Sequence, residues 1–255
     1  MDAVAGRSGG HREVAAMRIG RVLLAIGLVA VASVGGFAAY IAWLGIDGGA
    51  PSACHGTPAK GRLEGGRRLP AWGDNYRAYS LLGFMAGRTF VHGTVRDAMR
   101  DAYAELKKSN PELRFIYAET GWPWGGSFAP HRTHANGTSV DFHVPVRTLE
   151  GQVTEVPTSP FHLFGYWTRF DNNGKSGSSY QLDFEAMGQH LLALDKAVRA
   201  RGISIRLVIF DTRLQPRLRA SKSGALAMSR MAFNSKQAWW PHEDHYHVDF
   251  NVPCR

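Results

Sequence analysis

The chain has 255 residues, of which 44% are hydrophobic and 20% are charged, and its formal net charge is +9. That length suits one sizeable domain with an appendage, so a second domain is not required. The positive charge favours an anionic neighbour such as phospholipid headgroups or an acidic wall polymer, while a solvated basic surface would account for it equally well. Because the sequence contains no motif typical of nucleic-acid recognition, nucleic acid is excluded as the expected partner.

The first element is an apolar stretch over residues 22–46, which carries no charged side chain. A helix of that length measures about 37 Å, which exceeds a hydrocarbon core of about 30 Å. The arginines that precede it place residues 1–21 in the cytoplasm by the positive-inside tendency. We predict a single-pass signal anchor in the inner or plasma membrane, with the rest of the chain periplasmic or extracytoplasmic. A cleaved signal peptide is the alternative, but its apolar region usually runs for only about 7–15 residues.

Residues 47–70 follow, and they are dense in glycine, proline and basic residues. That composition predicts a flexible linker, which leaves residues 71–255 as the folded domain. The chain has two cysteines, Cys54 and Cys254. In an oxidising compartment such a pair is more often a disulfide than two free thiols, so we predict a bond that joins the start of the exported part to its end.

The domain combines helical and strand patterns. Apolar residues at helical spacing predict helices over residues 94–108 and 180–200. Strands are predicted over residues 114–118 and 203–210, while the basic residues 211–240 show no strong periodicity. This mixture predicts the α+β class.

Two further strands alternate apolar and polar residues, from Val140 to Val146 and from Tyr246 to Val252. Side chains alternate between the faces of a strand, so one face of each is apolar and the other polar. The polar faces carry Ser139, Asp141 and His143 on the first strand and His245, His247, Asp249 and Asn251 on the second. We predict a small antiparallel sheet that bears a metal site on one face and packs helices against the other.

Histidines cluster beside both strands. Catalytic zinc takes three ligands from histidine and carboxylate side chains and leaves a position for water, whose pKa falls toward about 7. A further histidine can accept the proton of that water and pass it to the leaving amine. The clusters therefore predict a hydrolytic zinc site. The residues alone leave open whether Asp141 or Asp249, and whether His134 or His143, binds the metal.

The spacing of His134, Gly137 and Asp141, followed far downstream by His245-Tyr246-His247, resembles a known peptidase group. That group includes lysostaphin-type endopeptidases, D-alanyl-D-alanine carboxypeptidases and dipeptidases, and hedgehog-type domains. The resemblance covers roughly residues 91–252.

Two flanking histidines make the resemblance more specific. His131 lies three residues before the first ligand position, and His242 lies three residues before the His-x-His pair. With these additions the chain is most similar to the penicillin-insensitive murein endopeptidases.

The resemblance implies one zinc ion per chain and a role for each site residue. The implied metal ligands are His134, Asp141 and His247. The implied catalytic residues are His245, as the base, with His131 and His242 lining the site. The candidates for holding these groups in place through hydrogen bonds are His143, Asp249 and Glu119.

The implied function is that of a membrane-tethered zinc D,D-endopeptidase that cleaves peptidoglycan peptide cross-links, typically between D-alanine and diaminopimelate. One alternative is a zinc D,D-carboxypeptidase or dipeptidase, with an arginine of residues 212–219 binding the terminal carboxylate. The other is a non-enzymatic zinc-containing recognition domain, against which the retention of His245 beside His247 argues. Tryptophans flank the motifs and either contact substrate or belong to the core. They are Trp122, Trp124, Trp239 and Trp240.

Overall fold

The computed structural model describes residues 8–45 and 51–255, and it describes side chains of the N-terminal helix for residues 17–40. The chain divides into two compact units at residue 46. Residues 1–7 of the predicted cytoplasmic segment, residue 46 at the end of the predicted apolar span and residues 47–50 of the predicted linker lie outside the described residues.

The first unit contains one long helix, α1 (Ser8–Gly45). Its stretch from Met17 to Tyr40 is long and apolar enough to cross a membrane, and a signal sequence would satisfy the same criteria. The helix begins well before residue 22, where we predicted the apolar span to start. Pro51 is the first proline of the sequence, so no proline interrupts this helix.

The second unit combines short helices with short strands. Its helices within residues 51–255 are α2 (Leu81–Met85), α3 (Gly93–Ser109), α4 (Phe184–Arg199), α5 (Gln215–Ala220) and α6 (Lys222–Arg230), with a 3-10 segment at Pro160–Gly165. Its strands within the same residues are β1 (Ala53–Gly56), β2 (Gly61–Glu64), β3 (Arg67–Arg68), β4 (Tyr76–Ala78), β5 (Phe90–Val91), β6 (Phe115–Tyr117), β7 (Ser139–His143), β8 (Val146–Thr148), β9 (Val153–Thr154), β10 (Lys175–Ser176), β11 (Tyr180–Leu182), β12 (Ser204–Ile209) and β13 (His245–Asn251). The α+β class is confirmed.

A five-stranded sheet, in the order β12-β13-β7-β6-β4, positions the candidate site. β13 is antiparallel to β7, and their register places Asp141 opposite His247 and His143 opposite His245. The predicted antiparallel arrangement therefore holds for the two strands that carry the site, but β4 and β6 are parallel, so the sheet as a whole is mixed. The parallel pair is possible because α2 and α3 lie between β4 and β6 in the chain and provide the crossover.

Helices pack against the apolar face of this sheet. The rings of Phe142 on β7 and His190 on α4 have centroids 4.7 Å apart, and the Tyr246 hydroxyl hydrogen-bonds His190 Nδ1 at 2.6 Å. The helix predicted over residues 94–108 is confirmed as α3. Its buried residues follow the helical spacing of apolar side chains on one face: Val95, Ala98, Met99, Ala102, Tyr103 and Leu106.

Residues 51–70 belong to the folded unit. β1 and β2 form a hairpin that buries Cys54, and Leu69 joins the main core. The predicted disulfide between Cys54 and Cys254 is confirmed. The linker prediction is therefore wrong from residue 51 onward. The glycines serve turns instead of a tether, as at Gly56, whose φ of 72° favours glycine.

Other elements differ from the prediction mainly at their bounds. The strands predicted over residues 114–118 and 203–210 are confirmed as β6 and β12. The second predicted helix starts later than residue 180, because β11 occupies its first residues and Asp183 caps α4 by accepting a hydrogen bond from Ala186 N at 2.9 Å. Residues 211–240 contain α5 and α6. α6 lies close to α4, since a Cβ on Gly188 would be 2.3 Å from Gly224 N.

Candidate metal centre

Asp141 lies at the centre of the polar face of the sheet and is 1% exposed. Its carboxylate oxygens lie 3.4 Å from His134 Nε2, 3.4 Å from His131 Nδ1 and 2.7 Å from His247 Nδ1. Burial opposes the charge, but the surrounding histidines outweigh it and hold the pKa of Asp141 well below its usual range. The carboxylate is therefore ionised and suited to a cation.

His134 presents Nε2 to this carboxylate. Its Nδ1 lies 3.1 Å from the carbonyl oxygen of Thr120 and 3.2 Å from that of Ser139. Carbonyl oxygens only accept hydrogen bonds, so Nδ1 carries the N–H and Nε2 keeps the lone pair. His134 Nε2 is buried without a hydrogen-bond partner. This is the arrangement that a metal-binding imidazole requires.

The loop that carries His134 is braced by the β1–β2 hairpin. Ala135 N donates to Pro58 O at 2.8 Å, and Asn136 Nδ2 donates to Gly56 O at 3.4 Å. His134 itself is left-handed, with a φ of 73°, which is uncommon for a residue other than glycine. At Gly137, a Cβ would lie 2.6 Å from a methyl group of Leu63. The hairpin therefore helps to hold His134 over the sheet.

Glu119 orients His131, the second histidine beside Asp141. His131 Nε2 donates to Glu119 Oε2 at 2.5 Å, so Nδ1 is the nitrogen that faces Asp141. Glu119 also accepts from the Tyr79 hydroxyl at 2.9 Å and from Arg88 Nε. Burial opposes its ionisation, but His131 and Arg88 lower the pKa of Glu119 to about 2. Glu119 thus has the kind of orienting contact proposed for it from the sequence.

His131, His134 and Asp141 form a group that could hold a metal ion, since their ligand atoms lie within 4.8 Å of one another. The set implied by the resemblance contained His247 in place of His131. His247 also contacts Asp141, but its Nε2 lies 2.9 Å from Asp249 Oδ1. Burial opposes protonation of His247, while Asp249 and Asp141 outweigh it and raise its pKa to about 10. Metal binding through His247 would therefore release a proton.

His242 and His245 lie beside this group, with ring centroids 4.6 Å apart. His245 Nδ1 lies 2.5 Å from Asp244 Oδ1, so Nδ1 donates and Nε2 carries the lone pair of the neutral ring. Burial opposes protonation at both histidines. It lowers the pKa of His242 to about 4, whereas the Asp244 carboxylate outweighs it at His245 and raises that pKa. His245 is therefore the better proton acceptor of the two.

His143 does not direct either ring nitrogen at Asp141. Its Nδ1 lies 3.3 Å from Asp244 O and its Nε2 3.0 Å from Phe164 O. A neutral imidazole carries one N–H, so only one of these carbonyl oxygens can accept from His143, and both ring nitrogens face carbonyl oxygens instead of Asp141. The geometry favours His134 over His143 as a ligand.

Asp249 is likewise engaged by neighbouring side chains. It accepts hydrogen bonds from Ser139 Oγ at 2.5 Å and from Arg206 Nη2 at 2.5 Å, besides its contact with His247. Of these two carboxylates, Asp141 lies beside three histidines and Asp249 beside one. Asp249 instead orients His247, the kind of contact expected of a residue that supports a metal ligand.

A cavity of about 320 Å³ opens beside these groups. Its lining includes the histidines His131, His242 and His245, the charged residues Arg88 and Glu119, and the large apolar residues Leu163, Phe164, Trp239 and Trp240. Two of the four flanking tryptophans therefore lie in the cleft. The other two, Trp122 and Trp124, stack on each other with centroids 6.5 Å apart. The apolar part of this lining suits a ligand with apolar groups.

Sequence patterns missed three residues at the site. Tyr166 donates its hydroxyl to Asp141 Oδ2 at 3.3 Å, and nothing in its sequence position signals this contact. Arg88 contacts Glu119 and also lines the cavity. Asp244 could have been found, because it is adjacent to His245 in the sequence.

The basic segment does not supply a free arginine at Arg213, one of the arginines considered for binding a terminal carboxylate. Arg213 Nη2 lies 2.8 Å from Asp211 Oδ2 and also pairs with Glu243. Its guanidinium is therefore already engaged by two carboxylates.

A scan against models of known protein families finds no family that matches this chain, and a search of curated proteins finds no match. Any assignment of function therefore depends on the residues of the site and their geometry.

Proposed function

We propose that the chain is a membrane-tethered zinc metallopeptidase that hydrolyses peptide cross-links of peptidoglycan as a D,D-endopeptidase. The observation that carries the proposal is the pairing of Asp141 with His134, whose Nε2 is buried without a hydrogen-bond partner 3.4 Å away. His247 Nδ1 contacts the same carboxylate oxygen. Two imidazoles and one carboxylate are a ligand set that catalytic zinc uses. The zinc ligands would be His134, Asp141 and His247, and α1 would be the membrane tether.

Zinc bound there would polarise the scissile carbonyl and make a water more acidic. The chain supplies the proton transfer. Asp244 accepts the Nδ1–H of His245, so Nε2 of His245 can take a proton from that water and pass it to the leaving amine. His131 and His242 line the cavity beside His245 and would steady the water or the tetrahedral intermediate. The apolar walls would hold the substrate and limit access of bulk water.

Two contacts weigh against the alternatives. Arg213 is engaged by Asp211 and Glu243, which disfavours its use for the free terminal carboxylate that a carboxypeptidase binds. The Asp244–His245 pair resembles a base with its orienting carboxylate. A site used only for recognition would not need such a pair.

Digestion of purified cross-linked sacculi by the full chain, with mass spectrometry of the products, tests the proposal. We expect new amino termini at cross-links, about one zinc per chain, and loss of both products and zinc with EDTA. Release of free D-alanine alone would establish the carboxypeptidase instead. Cleavage that survives removal of metal would exclude the metal mechanism.

Two histidine variants separate metal binding from proton transfer. His245→Ala is expected to keep zinc and lose turnover by about 100-fold or more, because it removes the base and leaves the ligands. His134→Ala is expected to lose both. His55→Ala is the control for loss of an imidazole, since the His55 ring pairs with Glu64 and does not line the cavity. Equal zinc content in the first two variants would contradict the assignment.

A further inference from the structure

Tyr166 connects two groups of the candidate metal centre through its hydroxyl. The hydroxyl donates to Asp141 Oδ2 at 3.3 Å and accepts a hydrogen bond from Glu119 N at 3.2 Å. The hydroxyl therefore both donates and accepts a hydrogen bond at the site. The ring lies among the site histidines, with centroids 4.9 Å from His245 and 6.1 Å from His131.

The chain before Tyr166 adopts an uncommon backbone conformation. Leu163 and Phe164 have φ values of 45° and 57°, in the left-handed region that bulky residues rarely occupy. Gly165 has a φ of 104°, and a Cβ there would lie 2.5 Å from His143 Nε2. His143 Nε2 in turn donates to Phe164 O at 3.0 Å. His143 thus contacts the segment that immediately precedes Tyr166 and helps to fix its conformation.

The two oxygens of Asp141 have different neighbours as a result. Oδ1 lies 3.4 Å from His134 Nε2 and 2.7 Å from His247 Nδ1. Oδ2 lies 3.3 Å from the Tyr166 hydroxyl and 3.4 Å from His131 Nδ1. The oxygen next to both histidines of the proposed ligand set is therefore the one that Tyr166 leaves free.

We propose that Tyr166 is a positioning residue that holds Asp141 so that Oδ1 alone faces the metal ligands. The inference rests on the zinc site of the proposed function. A hydrogen bond to one carboxylate oxygen fixes the rotation of the carboxylate and withdraws that oxygen from the metal. His131 Nδ1 faces Oδ2, the oxygen that the Tyr166 hydroxyl also contacts.

Tyr166→Phe in the full chain tests this inference, because it removes the hydroxyl and keeps the ring. We expect zinc affinity, measured by competition with a chromophoric chelator, to fall by about 10–100-fold, the range typical for loss of a group that supports a metal ligand. The visible absorption of the cobalt-loaded protein should change in the same variant. Tyr117→Phe is the matched control, since its hydroxyl donates to Pro70 O at 3.0 Å, outside the site.

Wild-type zinc affinity together with an unchanged cobalt spectrum in Tyr166→Phe would overturn the inference. So would an equal loss of affinity in Tyr117→Phe. We expect the zinc-free variant and the zinc-free wild type to have the same thermal unfolding midpoint. If the midpoint of Tyr166→Phe is much lower, the loss of zinc affinity reflects a destabilised fold and also counts against the inference. The outcome is distinguishable from failure of the proposed function, because a chain that binds zinc and leaves sacculi intact can still show the predicted change in affinity and spectrum.

Discussion

β7 and β13 carry nearly the same string, Val-Asp-Phe-His-Val-Pro at residues 140–145 and Val-Asp-Phe-Asn-Val-Pro at residues 248–253. Their aspartates nevertheless have different surroundings. Asp141 faces three imidazoles, whereas Asp249 is held by Ser139, Arg206 and one histidine. The local pattern of apolar and polar residues is the same in both strands.

The difference comes from what each strand has beside it. The loop before β7 brings His131 and His134 over Asp141, and the β1–β2 hairpin braces that loop. β12 is the neighbour of β13, and it places Arg206 beside Asp249. Asp141 therefore belongs to a group that could hold a metal ion, whereas Asp249 contacts the far nitrogen of the histidine between them.

The largest expected effect that distinguishes the two aspartates is that of Asp141→Asn. The change keeps the shape of the side chain and removes the charge that the histidines face. We expect zinc affinity to fall by about 1,000-fold, more than the loss of a supporting residue causes. Competition titration with a chelator measures this. An affinity for zinc equal to that of the wild type would reverse the roles that we assign to the two aspartates.

Asp249→Asn is expected to have a smaller effect on the same measurement. The ring of His247 loses a charged acceptor at Nε2 but keeps its contact with Asp141. Zinc affinity should fall by about 10–100-fold. If this variant loses zinc more completely than Asp141→Asn, Asp249 is the ligand.

His143→Asn places on β7 the residue that β13 has at the corresponding position, Asn251. It removes the contacts of His143 with Phe164 O and Asp244 O, so we expect the free energy of unfolding to fall by about 1–3 kcal/mol. Zinc affinity should stay within about tenfold of the wild-type value, the lower limit for a group that supports ligands indirectly. Urea unfolding and the chelator titration test both parts, and loss of the zinc would show that His143 is a ligand.

Ser139→Ala should have the smallest effect. Asp249 loses the hydroxyl donor of Ser139 and keeps those of Arg206 and His247. We expect the free energy of unfolding to fall by about 1 kcal/mol, with little change in zinc affinity. The Arg206→Ala variant is a useful comparison, because Arg206 is half exposed and its ion pair with Asp249 is accessible to solvent. A large loss of zinc affinity with Ser139→Ala would mean that Asp249 is held less firmly than its contacts indicate.

Elements with strong local signals were predictable from the sequence. Helical spacing predicts α3 and its buried face, and strand alternation predicts β7 and β13 with their polar faces. The linker prediction failed because glycine density alone does not distinguish a tether from a tight hairpin. What separates them is the disulfide and the burial of Cys54, which depend on the far end of the chain.

Residue type and alternation are local properties, so the amino-acid sequence is enough to predict which chemical groups are available and which face of each strand they share. The fold, and not the pattern along each strand, places His131 and His134 beside Asp141 instead of Asp249, and turns His143 toward two carbonyl oxygens. These differences depend on atoms contributed by other segments: the carbonyl oxygen that fixes the N–H of His134, the carbonyl oxygens that face the two ring nitrogens of His143, and the Tyr166 hydroxyl on Asp141. Hydrogen bonds act over about 3 Å, so a pattern along one strand cannot specify them.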